Sequence, residues 1–162
     1  MKQMRYAVGA ALLLAQVPVA QAQSRQAVIA TVSKADLRLI VTLEGHTIIE
    51  EDMFDVPSVR GKTKDGLIFQ LLGSNCTEGA NARCRNVMMQ IRYDDDDRVT
   101  YEGINEANFR EATVTAWWDA EGNTVGFTRF VVLDGGVTLM NLRQNLRTMF
   151  TYVPTVLKYP FP

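Results

Sequence analysis

The clearest pattern in the chain is the alternation from Val87 to Tyr93. Val87, Met89, Ile91 and Tyr93 fall on one side, and Met88, Gln90 and Arg92 on the other. A period of two is that of a strand with one face covered. After Gly135-Gly136 the spacing changes. Apolar residues recur three and four apart at Leu139, Leu142, Leu146, Met149, Phe150 and Val153, which predicts an amphipathic helix from Thr138 that Pro154 ends or bends. Its opposite face carries Asn141, Arg143, Gln144, Arg147 and Thr148.

Other elements follow from the same periods. Leu37, Ile40 and Val41 predict a helix over 34–44, with Ser33 and Asp36 in the form of a capping box and Gly45 as a left-handed stop. Its β-branched residues lower helix propensity and keep a strand open as the alternative. The runs 46–52 and 56–61 predict short strands around an acidic bend. Lys64-Asp65-Gly66 is a turn into the apolar run 67–72, which is too short for a buried helix and suits a central strand. Thr100 is placed to cap a short helix through Phe109. The runs 112–118 and 125–133, joined by a polar turn at 119–123, predict an antiparallel hairpin with Val114, Ala116 and Trp118 on one face. Residues 23–32 show no period and are expected to fray. The whole order predicts an α+β fold, an antiparallel sheet with helices packed on it.

The first residues read as an address. Lys2 and Arg5 precede an apolar run from Ala7 to Ala15, and Ala20-Gln21-Ala22 is a small-x-small cleavage triplet, so residues 1–22 are predicted to be a secretory signal peptide. A retained anchor is the alternative, but Gln16 and Pro18 interrupt a run well short of the about 20 apolar residues that cross a bilayer. The expectation is a single domain over 23–162, periplasmic or secreted, with no membrane span after cleavage. Composition agrees with a packed domain: 47% of the 162 residues are hydrophobic, and 17 Lys+Arg stand against 18 Asp+Glu. Loss of Lys2 and Arg5 takes the formal charge from -1 to about -3. With the basic residues scattered, nucleic acid is not an expected partner.

In an oxidising compartment Cys76 and Cys84, with seven residues between them, read as a disulfide. The spacing is wrong for a redox CxxC pair, and two thiolates without a nearby histidine cannot complete a zinc site. His46 is the only histidine, which excludes a histidine-based triad or a multi-histidine metal site built from this chain alone. The acidic run Asp94–Asp97 lacks the glycine-containing spacing of a calcium loop and reads as a solvated turn before a helix. Neither a nucleophile elbow nor a phosphate loop is present, and nothing singles out a carboxylate pair. Hence no catalytic, cofactor-binding or metal residues are expected, and no cofactor. Trp117, Trp118, Phe127 and Phe130 are divided between core and partner surface.

The second half also resembles a known family. A cysteine pair (Cys76, Cys84) precedes a hydrophobic strand, and Asn105-Glu106-Ala107-Asn108 keeps two asparagines of an N-x-W-N element, with Ala107 in place of the tryptophan. Gly135-Gly136-Val137-Thr138 with Asn141-Leu142 completes the pattern. Over about residues 34–153 this is similar to the YbjN-like family of bacterial sensory transduction regulators. The resemblance implies an α/β sandwich like that of type III secretion chaperones, no enzymatic activity, no cofactor, and engagement of a protein or peptide partner, with a homodimer as a further implication. The candidate structural or interaction residues are Asn105, Asn108, Gly135, Gly136, Thr138 and Asn141. At i, i+3 on a helix, Asn105 and Asn108 suit either backbone hydrogen bonding or ligand recognition. Two other readings stand beside an exported binding module: an envelope structural or stress component without a discrete ligand, and a small carboxylate-based hydrolase.

Overall fold

The computed structural model describes residues 28–95 and 98–161. The predicted signal peptide, Asp96 and Asp97 lie outside the described residues. Six strands form one antiparallel sheet: β2 (Thr47–Glu51), β3 (Ser58–Lys62), β4 (Ile68–Cys76), β5 (Cys84–Asp94), β6 (Thr115–Asp119) and β7 (Thr124–Val132). Their order across the sheet is β2-β3-β4-β5-β7-β6, and each neighbouring pair is antiparallel. A two-stranded ribbon joins β1 (Val28–Ile29) to β8 (Val137–Thr138). The helices are α1 (Lys34–Leu43), α2 (Tyr101–Arg110) and α3 (Leu139–Val156). This is the α+β arrangement that the element order predicts.

The alternation in β5 decides which face is covered. Val87, Met89 and Ile91 are fully buried, as are Val59, Leu71, Val125 and Phe127 on the neighbouring strands. Against them lie Leu37, Ile40 and Val41 of α1, and Leu142, Leu146, Met149 and Val153 of α3. Ala116 and Trp118 meet the same cluster from β6, as their shared spacing predicts.

Local chemistry sets the helix ends. Ser33 Oγ accepts from the Asp36 backbone N–H while Asp36 accepts from the Ser33 N–H at 2.8 Å, a complete capping box. Gly45 then turns the chain out of α1 at φ 74°, which its missing Cβ allows. Thr100 and Thr138 cap α2 and α3 in the same way, each accepting from the N–H three residues on.

Three expectations need correction. The segment before α1 is not frayed through its length: Val28 and Ile29 pair with β8, and Val32 is fully buried, exchanging both backbone hydrogen bonds with Cys84 at 2.8 Å. Pro154 does not end α3, which continues to Val156. Pro154 is exposed, while Val153 and Val156 beside it are buried, so apolar contacts hold the last turn although one backbone donor is missing. Arg143, expected on the solvent side of α3, is buried and paired with Glu44. Cys76 ends β4 and Cys84 begins β5. Cys76 stands opposite Cys84 in the β4–β5 register, and a disulfide joins them.

Candidate functional site

The candidate residues fall into two groups. Asn108 on α2 turns its side chain to β6, where its Oδ1 accepts from the Ala116 N–H at 2.8 Å and its Nδ2 donates to the Ala116 carbonyl at 3.0 Å. That fork satisfies two backbone groups on an edge strand and pins helix to sheet. Asn105, one turn earlier, is exposed. The second group lies where β7 leads into α3. Gly135 and Gly136 both adopt positive φ, and a Cβ at Gly136 would sit 2.5 Å from Val28 Cγ1, so β1 can approach only because that residue is glycine. Asn141 continues from Thr138 to Asn145, whose Nδ2 donates to the Asn141 carbonyl at 2.9 Å. Asn145 Oδ1 in turn accepts from Arg129 Nε at 2.6 Å, and Arg129 reaches the Thr113 carbonyl beyond. Asn145 and Arg129 were not legible as partners, because the spacing of α3 places Asn145 without naming a residue 16 positions earlier. Asn108 and the turn into α3 are thus structural locks on the sheet, while Asn105 makes no side-chain hydrogen bond among the described residues. Asn108→Ala should cost about 1–3 kcal/mol of stability by leaving the Ala116 groups unpaired, measured by urea unfolding. Asn108→Asp, which keeps only the acceptor, should fall between.

Among the described residues, no helix lies on the other face of the sheet. Register brings its side chains into rows. Leu72, Met88 and Phe130 are cross-strand neighbours, with Val132 beside them. Phe130 is 52% exposed, Val132 54% and Ile68 48%. The next row is polar: the amides of Gln70 and Gln90 meet at 2.8 Å, and Gln90 Nε2 donates to Thr128 Oγ1 at 3.1 Å. Trp117 Nε1 donates to the same hydroxyl at 2.8 Å. The indole lies flat over Gly126, where a Cβ would be 2.0 Å from the ring. Arg92 stacks 5.4 Å from the Trp117 ring centroid and donates to Gln90 Oε1 at 3.1 Å. Both glutamines are buried although no described element covers this face, because their neighbours close over them.

These elements can be set beside known proteins. The sequence model of YbjN, described as "Putative bacterial sensory transduction regulator", matches residues 24–156. The chain belongs to the YbjN family. Comparison with curated proteins and with solved structures returns no match. The YbjN match spans β1 to α3, so it takes in both structural locks and the open sheet face.

Elsewhere in this YbjN chain, a larger hollow has its two basic residues ion-paired. This hollow, of about 560 Å³, lies between the start of α1, the bend after β2 and the loop between the cysteines. Its Lys34 is paired with Asp52 at 2.7 Å, and Arg83 with Asp36 at 3.4 Å. Among the described residues no cluster of His, Cys, Asp and Glu is arranged to hold a metal. Asp95, from the acidic run, accepts from Trp118 Nε1 at 2.8 Å. His46 packs edge-on against Phe69 and Phe150 at 5.4 and 5.2 Å between ring centroids. Burial lowers its pKa below 6.5, Glu44 opposes that shift and Lys64 adds to it, so the imidazole is neutral at pH 7. Among the described residues it has packing neighbours and no orienting partner for base catalysis.

Proposed function

We propose that this YbjN-family chain is an exported, non-catalytic binding module that docks a protein partner on the helix-free face of its sheet. One observation carries the reading: Ile68, Phe130 and Val132 stand about half exposed on a face that no described element covers. Apolar surface left in water forgoes about 25 cal/mol per Å² of stabilisation that a partner restores. A regulator needs such a surface and needs no assembled acid–base pair. Export is supported by the basic, apolar and small-residue segments of residues 1–22.

The test is photocrosslinking in the intact bacterium, with the full-length chain carrying a benzophenone amino acid at position 130, 132 or, as control, 39 on the outside of α1. The expected result is a discrete adduct from 130 and 132, absent from 39, on a periplasmic chain beginning at Gln23. Phe130→Asp should remove the adduct formed from 132 without lowering Tm, since it deletes exposed rather than core contacts. An adduct with a second copy would assign the face to a homodimer. Equal labelling from all three positions would defeat the docking reading.

A further inference from the structure

The polar end of the open face has a chemistry of its own. A hollow of about 110 Å³ is lined by Arg60, Ile68, Phe69, Gln70, Gln90 and Arg92. Arg60 is spent on Glu50. Arg92 is not ion-paired with any described carboxylate, and Asp94, two residues on at the strand end, makes no pair with it. Its fork is nevertheless held in place. One terminal nitrogen donates to Gln90 Oε1 at 3.1 Å, and the guanidinium rests on the Trp117 ring. The second terminal nitrogen has no protein partner among the described residues. Lys62, on the same face and beside Ile68 in the β3–β4 register, also has no ion pair among the described residues. An otherwise slightly acidic chain thus presents two unmatched cations next to its apolar row.

Resting on the docking reading above, we infer that Arg92 is a carboxylate-recognition residue, and that the partner is a protein segment carrying an Asp or Glu flanked by apolar side chains. The carboxylate accepts from the outward N–H groups of Arg92 at the hollow, while the apolar neighbours cover Phe130 and Met88. Three properties support this ligand class. A planar fork braced on an aromatic ring and the Gln90 amide loses little freedom on binding. The floor is made of buried amides, and the other guanidinium lining the hollow, Arg60, is already paired with Glu50. The hollow has the size of a side-chain terminus rather than of a cofactor.

The experiment titrates 15N-labelled protein with blocked glutamate (N-acetyl-Glu-methylamide), blocked glutamine and inorganic phosphate, following the side-chain resonances of Arg92, Gln90 and Trp117. The expected result is a saturable shift of these three signals by blocked glutamate, with blocked glutamine about tenfold weaker. Arg92→Gln should erase that difference, and Arg92→Lys should retain only part of it, while both keep the wild-type melting curve. Equal shifts from glutamate and glutamine, shifts mapping elsewhere, or tighter binding of phosphate than of glutamate would each overturn the assignment. Crosslinking from position 132 separates the two readings. If Phe130→Asp abolishes the adduct but blocked glutamate does not bind, docking stands and carboxylate selection falls. If blocked glutamate binds and Phe130→Asp leaves the adduct intact, Arg92 keeps its ligand class and the apolar row loses its role.

Discussion

Glu44→Ala should lower the unfolding free energy by about 3–5 kcal/mol, as read by urea denaturation at neutral pH. Glu44 caps the end of α1, and its carboxylate is only 6% exposed. It accepts from Arg143 and Arg147 of α3, 99 and 103 residues later. Arg143, with its side chain 9% exposed, has one other described partner, the Leu43 carbonyl at 3.1 Å. Removing the carboxylate therefore strands a buried guanidinium in a poorly solvated place, which costs more than the pair itself contributes. The companion variant is Glu44→Leu with Arg143→Met. It should recover most of the loss, because the pair's net worth against an apolar replacement is small. A loss below about 1 kcal/mol for Glu44→Ala would mean that Arg143 finds water instead.

The same pair sets how stability responds to acid. Burial raises the Glu44 pKa, but hydrogen bonds from Arg147 and Arg143 and their charges outweigh it, leaving it below 4.5. A depressed carboxyl pKa contributes stability that is full above the unfolded value and lost as pH falls through the folded one. His46 acts earlier. With its pKa pushed below 6.5 chiefly by burial, the unfolded chain takes up the proton first, so stability declines as pH drops from 6.5 toward the folded value. Acid unfolding should thus show two windows, and His46→Gln should remove only the upper one.

How much of this was legible depends on the distance over which the information acts. The capping box at Ser33, the stop at Gly45, the β6–β7 hairpin and the covered row of β5 are local patterns, and each matches the folded protein. Val32 was missed because its burial comes from pairing with Cys84, 52 residues away, in a segment with no period. Arg143 was misplaced for a similar reason: a basic residue on a helix reads as solvated unless its distant carboxylate is known. The candidate site was half legible. Alternation identified Met88, Gln90 and Arg92 as the less covered side of β5, and aromatic Trp117 and Phe130 were divided between core and partner surface. Only the register of β4, β5 and β7 assembles Leu72, Met88 and Phe130 into one row, and only the side-chain geometry braces Arg92 on Trp117. The asparagines and Gly135-Gly136 stood out as a motif, but a motif does not reveal whether it holds a ligand or, as for Asn108, a strand.

Phe69→Ala should be comparably damaging, at about 3–5 kcal/mol. The ring is 1% exposed and fills the space between sheet and helix, edge-on to Phe150 at 4.9 Å and to His46 at 5.4 Å. It also lies directly over Gly61 on the adjoining strand, where a Cβ would be 2.4 Å from its Cζ. That contact gives a sharper test than the loss alone. Gly61→Ala should destabilise the wild-type protein by overpacking, about 1–3 kcal/mol, yet cost little in the Phe69→Ala background, where the methyl enters the space the ring has left. A double-mutant cycle that came out additive would mean the ring can swing clear of Gly61. Two further readouts follow from the neighbours. Water entering the cavity should raise the His46 pKa toward 6.5 by relieving the burial that depresses it. Because Gln70 is the next residue on the opposite face and Phe69 lines the hollow beneath Arg92, the same variant should shift the Gln90 and Arg92 side-chain resonances. The core on one side of this sheet would then be part of what shapes the recognition surface on the other.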